Sequence, residues 1–235
     1  MKITPQTLYE ILFNRFGNLD WWPMDEEYHK KNGSDQRFEI IAGAILTQNT
    51  AWSNVEKAIS SLKIKKVLDI NSLSKVSTIE LQKLIRSSGF FKQKADRLKN
   101  IALYFQQKYQ GDLDTFFKKD IYDIRNELLS LNGIGPETAD SILLYAGNLP
   151  IFVVDAYTKR ICERLPLNTN ISYEAIQSYF ERELEKSYTK NELIKIYNNL
   201  HALIVILGKN YCKKNPRCEE CPLTKHCDYN KNSAQ

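Results

Sequence analysis

The stretch from Leu128 to Arg160, LLSLNGIGPETADSILLYAGNLPIFVVDAYTKR, leaves a chain few paths to follow. Ile121, Ile124, Leu128 and Leu131 recur at helical spacing and form one apolar face, which Asn132 and Gly133 bring to an end. The turn is Gly133-Ile134-Gly135, where two glycines permit positive φ and close backbone approach, and Pro136 suits the first position of a second helix. Ala139, Ile142, Leu143 and Ala146 supply that helix with its own apolar stripe. Two short helices meeting at an amide-rich corner favour an anion such as a phosphate. The apolar run Ile151-Phe152-Val153-Val154 then delivers Asp155 to the start of another helix.

Elsewhere the pattern is helical as well. Leu8, Ile11, Leu12 and Phe16 predict a first helix over Thr7–Phe16 that stops at Gly17. Residues 17–35 read as an irregular polar segment broken by Pro23 and Gly33, with Trp21 and Trp22 serving either as a core plug or as a stacking surface. The segment RFEIIAGAIL predicts a helix, TQNT a break that carries Gln48, and a further helix runs from about Ala51 past Trp52. Short helices continue to Leu103, interrupted at Ser88-Gly89. The Phe90, Phe91, Lys92 and Lys94 that follow are either core or an aromatic wedge with cations beside it. Helical patterns from Ser172 to Glu185 and on to Cys212 complete the chain, and no alternating strand pattern of useful length occurs. The fold class is all-α.

At 235 residues and 43% hydrophobic content the chain can bury one large core or two modest ones. Its net charge of +5 is only mildly basic, so a nucleic-acid partner would depend on how the cations are distributed. The N-terminus lacks an apolar signal core and no apolar run is long enough to span a membrane, which predicts a cytoplasmic protein with no membrane partner.

Cys212, Cys218, Cys221 and Cys227 stand in the pattern C-x5-C-x2-C-x5-C, a strong metal-site signal. Four thiolates so close in sequence suit zinc or an iron-sulfur cluster, and spacing alone does not choose between them. A fifth cysteine, Cys162, stands apart.

LNGIGPETAD, VVDAYTKR and GKNYCKKNPRCEECPLTKHC together resemble the endonuclease III superfamily of helix-hairpin-helix DNA glycosylases, and the likeness extends over nearly the whole chain. It implies a two-lobed fold, with a six-helix-barrel-like domain over residues 36–150 that carries the hairpin, and residues 1–35 with 151–235 forming an iron-sulfur domain. It implies a 4Fe-4S cluster on Cys212, Cys218, Cys221 and Cys227, with a first cysteine gap of five residues where the family commonly has six. The partner would be double-stranded DNA containing a damaged base, met by a monomer in the nucleoid. Asp155 matches the catalytic aspartate, and Gly133, Ile134, Gly135, Lys213, Lys214 and Arg217 the DNA-binding set. Gln48 matches the residue that fills the space left by an extruded base. Where bifunctional members carry a Schiff-base lysine this chain has Glu137, which implies base release without strand cutting.

The WWP motif of Trp21, Trp22 and Pro23, with ILTQNT and Trp52, is similar to the 3-methyladenine DNA glycosylase III branch and implies a base pocket for an alkylated purine, although the cysteines depart from that branch. Endonuclease III-type action on oxidised pyrimidines or mismatched thymine, with lyase activity, is the alternative. A non-catalytic cluster-containing DNA-binding protein is a third reading.

Overall fold

A computed structural model describes residues 3–19, 21–167 and 169–229, and among these no strand occurs. The chain divides into two compact units, Met1–Trp21 with Pro150–Gln235, and Trp22–Leu149. Helix α1 (Pro5–Phe16) opens the first unit. It begins two residues earlier than the apolar spacing predicts, because Pro5 occupies the first helical position and the Thr4 hydroxyl accepts from the Thr7 amide.

The second unit starts with α2 (Glu26–Asn32), within the segment expected to be irregular. Its capping is complete: Asp25 accepts from the Tyr28 amide at 2.9 Å, Glu26 and Glu27 lie in the first turn, and Gly33 closes the helix in the left-handed region. Its buried residue is not aliphatic but His29, whose ring meets Ser34 Oγ at 2.7 Å and Glu39 Oε2 at 2.8 Å. Lys63 Nζ reaches Glu39 Oε1 at 2.8 Å. Burial acts against the Glu39 carboxylate, yet the bonds from His29 and Lys63 hold it below the ordinary glutamate range.

Helices α3 (Arg37–Leu46), α4 (Trp52–Ile64), α5 (Ile70–Lys75), α6 (Thr78–Leu84), α7 (Phe91–Tyr109), α8 (Leu113–Phe117), α9 (Ile121–Leu129) and α10 (Pro136–Ser141) follow, the last running on into a π-helical turn at Ile142–Ala146. Every residue of α3 from Phe38 to Leu46 is buried, and α3 packs on α4, α7 and the π turn. The unit begins at Trp22 rather than at residue 36. The Trp22 ring packs against Trp52 and Tyr145 with centroids 5.2 and 5.3 Å away, and α2 is pinned to α3 through His29 and Glu39.

The hairpin helices are joined by a buried ion pair. Arg125 of α9 donates from Nε and Nη2 to the two oxygens of Asp140 in α10 at 2.6 and 3.1 Å, and Asp140 is fully buried. Removing one member of such a pair is costly because the other charge stays behind. Arg125→Met should therefore lower stability by about 3 kcal/mol, read as a shifted urea midpoint. Arg125→Met with Asp140→Leu should recover most of the loss. A single variant as stable as the parent would show that the pair contributes nothing.

The first unit resumes with the extended, buried run from Ile151 to Val154, followed by α11 (Ala156–Arg164), α12 (Tyr173–Glu185) and α13 (Lys190–Asn210). An extended segment without a sheet needs other partners for its backbone. Glu181 accepts from the Phe152 amide at 2.9 Å, and Gln177 donates to the Phe152 carbonyl at 2.7 Å. Phe152 stacks on Phe180 at 4.6 Å. Helix α13 buries Leu203, Ile204 and Leu207, and α1 packs on α12 and α13.

Candidate functional site

In the hairpin turn, Gly133 has φ +83° and lies under the Arg97 side chain: a Cβ there would stand 2.1 Å from Arg97 Nε. Gly135 is extended at φ −94°, and a Cβ on it would meet nothing within 4 Å, so the fold of the free chain does not require glycine there. The space over its backbone is open to a ligand. Ile134 is buried and its amide donates to Leu131 O at 3.1 Å, so neither its side chain nor that N–H is directed at a phosphate. Glu137, in the first turn of α10, is exposed, and its carbonyl accepts from the Ser141 hydroxyl.

Gln48 is tied to this turn. Its Nε2 donates to Gly133 O at 3.0 Å and to Thr138 Oγ1 at 2.9 Å, and its Oε1 accepts from Arg97 Nη1. Lys94, expected among the cations flanking the exposed aromatics, is instead 1% exposed. Its ammonium donates to Leu46 O at 2.7 Å, Ser88 O at 2.6 Å and Thr50 Oγ1 at 3.0 Å, and burial, with Arg97 nearby, brings its pKa down to about 8. It fastens the Leu46 carbonyl and the Thr50 hydroxyl, on either side of Gln48, to the Ser88 carbonyl before Phe90. Phe90 itself is 64% exposed at φ +45°, an uncommon conformation for an aromatic residue.

Of the aromatic set, Trp22, Pro23 and Trp52 line one cavity of about 270 Å³, with Met24, Ile59 and Gly43. Gly43 admits the Trp22 ring, since a Cβ there would be 3.0 Å from Cζ2. Asp25, Glu39, Glu56 and Lys63 add charge to the same walls. Gln48 is not among the lining residues, and Trp21 belongs to the other unit.

In that other unit Asp155 caps α11. Its Oδ1 accepts from the Thr158 amide at 2.7 Å and the Thr158 hydroxyl at 2.8 Å. The residue is 8% exposed, and Oδ2 lies 3.7 Å from His201 Nε2. Burial lowers the His201 pKa and Asp155 opposes that shift, leaving a ring that favours the neutral form. Lys159 stands on the same helix with its ammonium 5.8 Å from the centre of the Tyr173 ring.

Cys212, Cys218, Cys221 and Cys227 line a single cavity with Arg164 and Tyr229, and no disulfide joins any of the four. Burial, aided by the neighbouring cysteines, raises the thiols of Cys218 and Cys221, the latter to about 11. Arg164 donates to Cys212 Sγ at 3.2 Å and to Lys213 O at 2.7 Å, while Arg160 donates to Cys212 O at 2.8 Å. Among the described residues no three His, Cys, Asp or Glu side chains are gathered closely enough to hold a metal ion. The donors nonetheless fit an iron-sulfur group, because four thiols face one cavity beside an arginine that offsets thiolate charge. Lys213, Lys214 and Arg217 are exposed on the loop.

Arg97 and His201 carry no sequence signal, because their partners Gln48 and Asp155 lie far away in sequence, whereas Thr158 is a local partner three residues after Asp155 that the helix-cap pattern could have revealed.

The model of the HhH-GPD superfamily of base excision DNA repair proteins matches residues 42–186. Protein MJ1434 of Methanocaldococcus jannaschii, whose name assigns it to the DNA repair glycosylases, is 42% identical over 223 residues, 94% of each chain. Endonuclease III of Thermotoga maritima is 29% identical over 197 residues, 82% of this chain and 83% of its own. In fold, the chain is similar to the H. pylori 3-methyladenine DNA glycosylase MagIII bound to 1,N6-ethenoadenine (TM-score 0.71, 24% identity, 88% of this chain and 98% of that one). It is likewise similar to endonuclease III in a non-covalent DNA complex (TM-score 0.69, 23% identity, 99% of each). Matched by the family model and by a relative along almost its full length, the chain belongs to the HhH-GPD superfamily of base excision DNA repair proteins and is an endonuclease III-like helix-hairpin-helix DNA glycosylase.

Proposed function

We propose that this glycosylase is monofunctional, releasing alkylated purines such as 3-methyladenine from double-stranded DNA and leaving an abasic site. The observation that carries the reading is Glu137, an exposed carboxylate in the first turn of α10 at the hairpin position where a Schiff-base amine would stand. A carboxylate forms no imine. Its place in that turn also suits the positive end of a helix, so it serves structure and reaction type together.

Asp155 supplies the chemistry. In base release the C1′–N bond breaks with its electron pair departing on the base, and positive charge builds on the deoxyribose. A fixed carboxylate stabilises that charge, orients the water whose oxygen bonds to C1′, and takes up the water's proton. An alkylated purine is cationic and departs neutral, so a strong general acid is not needed. The aromatic faces of Trp22 and Trp52 and the carboxylates beside them suit a flat, positively charged base. The open backbone at Gly135 and the exposed Lys213, Lys214 and Arg217 take phosphates, Phe90 enters the duplex, and Gln48 fills the vacated stack. A 4Fe-4S cluster on the four cysteines, when bound, cross-links the loop that bears those cations.

The test is a panel of duplexes carrying alkylated, oxidised and mismatched bases, each read with and without alkali and with borohydride. Base release is expected from the alkylated purines, strand breaks mainly after alkali, and little covalent trapping. Efficient trapping by the parent protein would mean that another amine, such as Lys159, serves as nucleophile. Preferred release of oxidised pyrimidines would move the substrate assignment to the endonuclease III type.

A further inference from the structure

We propose that Arg97 is a positioning residue for Gln48, holding it against the hairpin turn so that the element that takes the DNA phosphate also sets the residue that enters the base stack. The inference rests on the gap-filling role given to Gln48 above. In the free protein both ends of the Gln48 amide are engaged: the oxygen by Arg97 Nη1, the nitrogen by Gly133 O at 3.0 Å and Thr138 Oγ1 at 2.9 Å. Arg97 reaches the turn as well, because its stem lies across Gly133, at a point where any Cβ would collide with it. One guanidinium therefore touches both the glutamine and the backbone that the glutamine is bonded to.

Helix α7 fixes the rest of the loop in the same way. Lys94, three residues before Arg97, holds Leu46 O and Thr50 Oγ1 at 2.7 and 3.0 Å, so the backbone and the side chain of the Gln48 loop are fastened by neighbouring turns of one helix. An untethered glutamine would lose its rotamer freedom on entering a duplex, whereas one already held has less to lose. Arg97 is half-exposed, so a direct phosphate contact is the competing role for its charge.

The probe is a duplex with a tetrahydrofuran abasic analogue opposite 2-aminopurine, in which Gln48 has a gap to occupy and the orphan base reports its stacking. Binding and fluorescence are measured for Gln48→Ala, Arg97→Ala, Arg97→Gln and the pair Gln48→Ala with Arg97→Ala, beside an undamaged duplex, over a range of salt. Arg97→Ala and Arg97→Gln should each weaken tetrahydrofuran-duplex binding about tenfold, the scale of one hydrogen bond to a charged group. The undamaged duplex and the salt slope should be unaffected, and the double variant should be no worse than Gln48→Ala. An Arg97→Ala loss that persists on the Gln48→Ala background, with the salt slope reduced by about one, would make Arg97 a phosphate contact and overturn the proposal. Parent-like binding by both Arg97 variants, with Gln48→Ala impaired, would overturn the proposal alone. Parent-like binding by Gln48→Ala would remove the gap-filling role and the proposal with it.

Discussion

Asp155→Asn should slow single-turnover release of the damaged base by at least about 10²- to 10³-fold while leaving the fold and DNA binding intact. The substitution separates two roles that the geometry superimposes. As a cap, Asp155 uses one oxygen to accept from the Thr158 amide and hydroxyl at 2.7 and 2.8 Å. Asparagine caps about as well as aspartate, so a purely structural residue would tolerate the change with little effect on melting temperature. As a catalyst, it must present negative charge to a sugar that is becoming positive, and asparagine has none. The second oxygen lies 3.7 Å from Nε2 of His201, a ring that burial turns toward its neutral form. Lost base release with retained binding would identify Asp155 as the catalytic carboxylate. Unchanged release would reduce it to a cap, and no base release from any substrate by the parent protein would favour a DNA-binding protein without this chemistry.

The hairpin was legible because its two helices and its turn carry local signals. Periodicity placed α9, but the helix closes at Leu129 with Ser130 as its cap, so Leu131 falls in the turn and Gly133 bends the chain four residues beyond the helix rather than ending it; Pro136 opened α10, and the stripe from Ala139 to Ala146 lies buried. Helix α2 left no such trace, because its one buried residue is a histidine satisfied by Ser34 and Glu39 rather than an aliphatic stripe; only its Asp25 cap and closing Gly33 could have revealed it. Lys94 shows the opposite failure. Lysine beside aromatics reads as a solvent-facing cation, yet three oxygen acceptors converge on it from the Leu46–Thr50 loop and Ser88. The tie between Arg97 and Gln48 spans 49 positions, and the approach of His201 to Asp155 joins two helices whose sequences do not announce each other. Candidate residues at a turn could be named from the sequence, while the contacts that orient them required the fold.

Anaerobically purified protein should be brown and carry about four irons per chain, and Cys221→Ala should lose most of that iron and loosen residues 211–229. The physical reason is the poverty of this segment's own core: among its residues only Leu223 is buried. A stretch that hides so little apolar surface cannot offset the entropy of ordering itself. What ties it down in the free chain is a set of bonds to its backbone, from Arg160 to Cys212 O at 2.8 Å and from Arg164 to Lys213 O at 2.7 Å, with the Thr224 hydroxyl bonded to Cys221 O at 2.8 Å. A group ligated by all four thiolates would cross-link the segment at four points and hold Lys213, Lys214 and Arg217 in fixed register for phosphates. Hydrogen exchange over residues 211–229 should accordingly rise toward solvent rates in Cys221→Ala while the unit from Trp22 to Leu149 keeps its protection, and DNA affinity should fall with a shallower salt dependence. Stoichiometric zinc without iron in the anaerobic protein would replace the cluster with a zinc site. Full protection of the segment in an iron-free preparation would mean that the arginine bonds suffice and that the cysteines are not needed to order it.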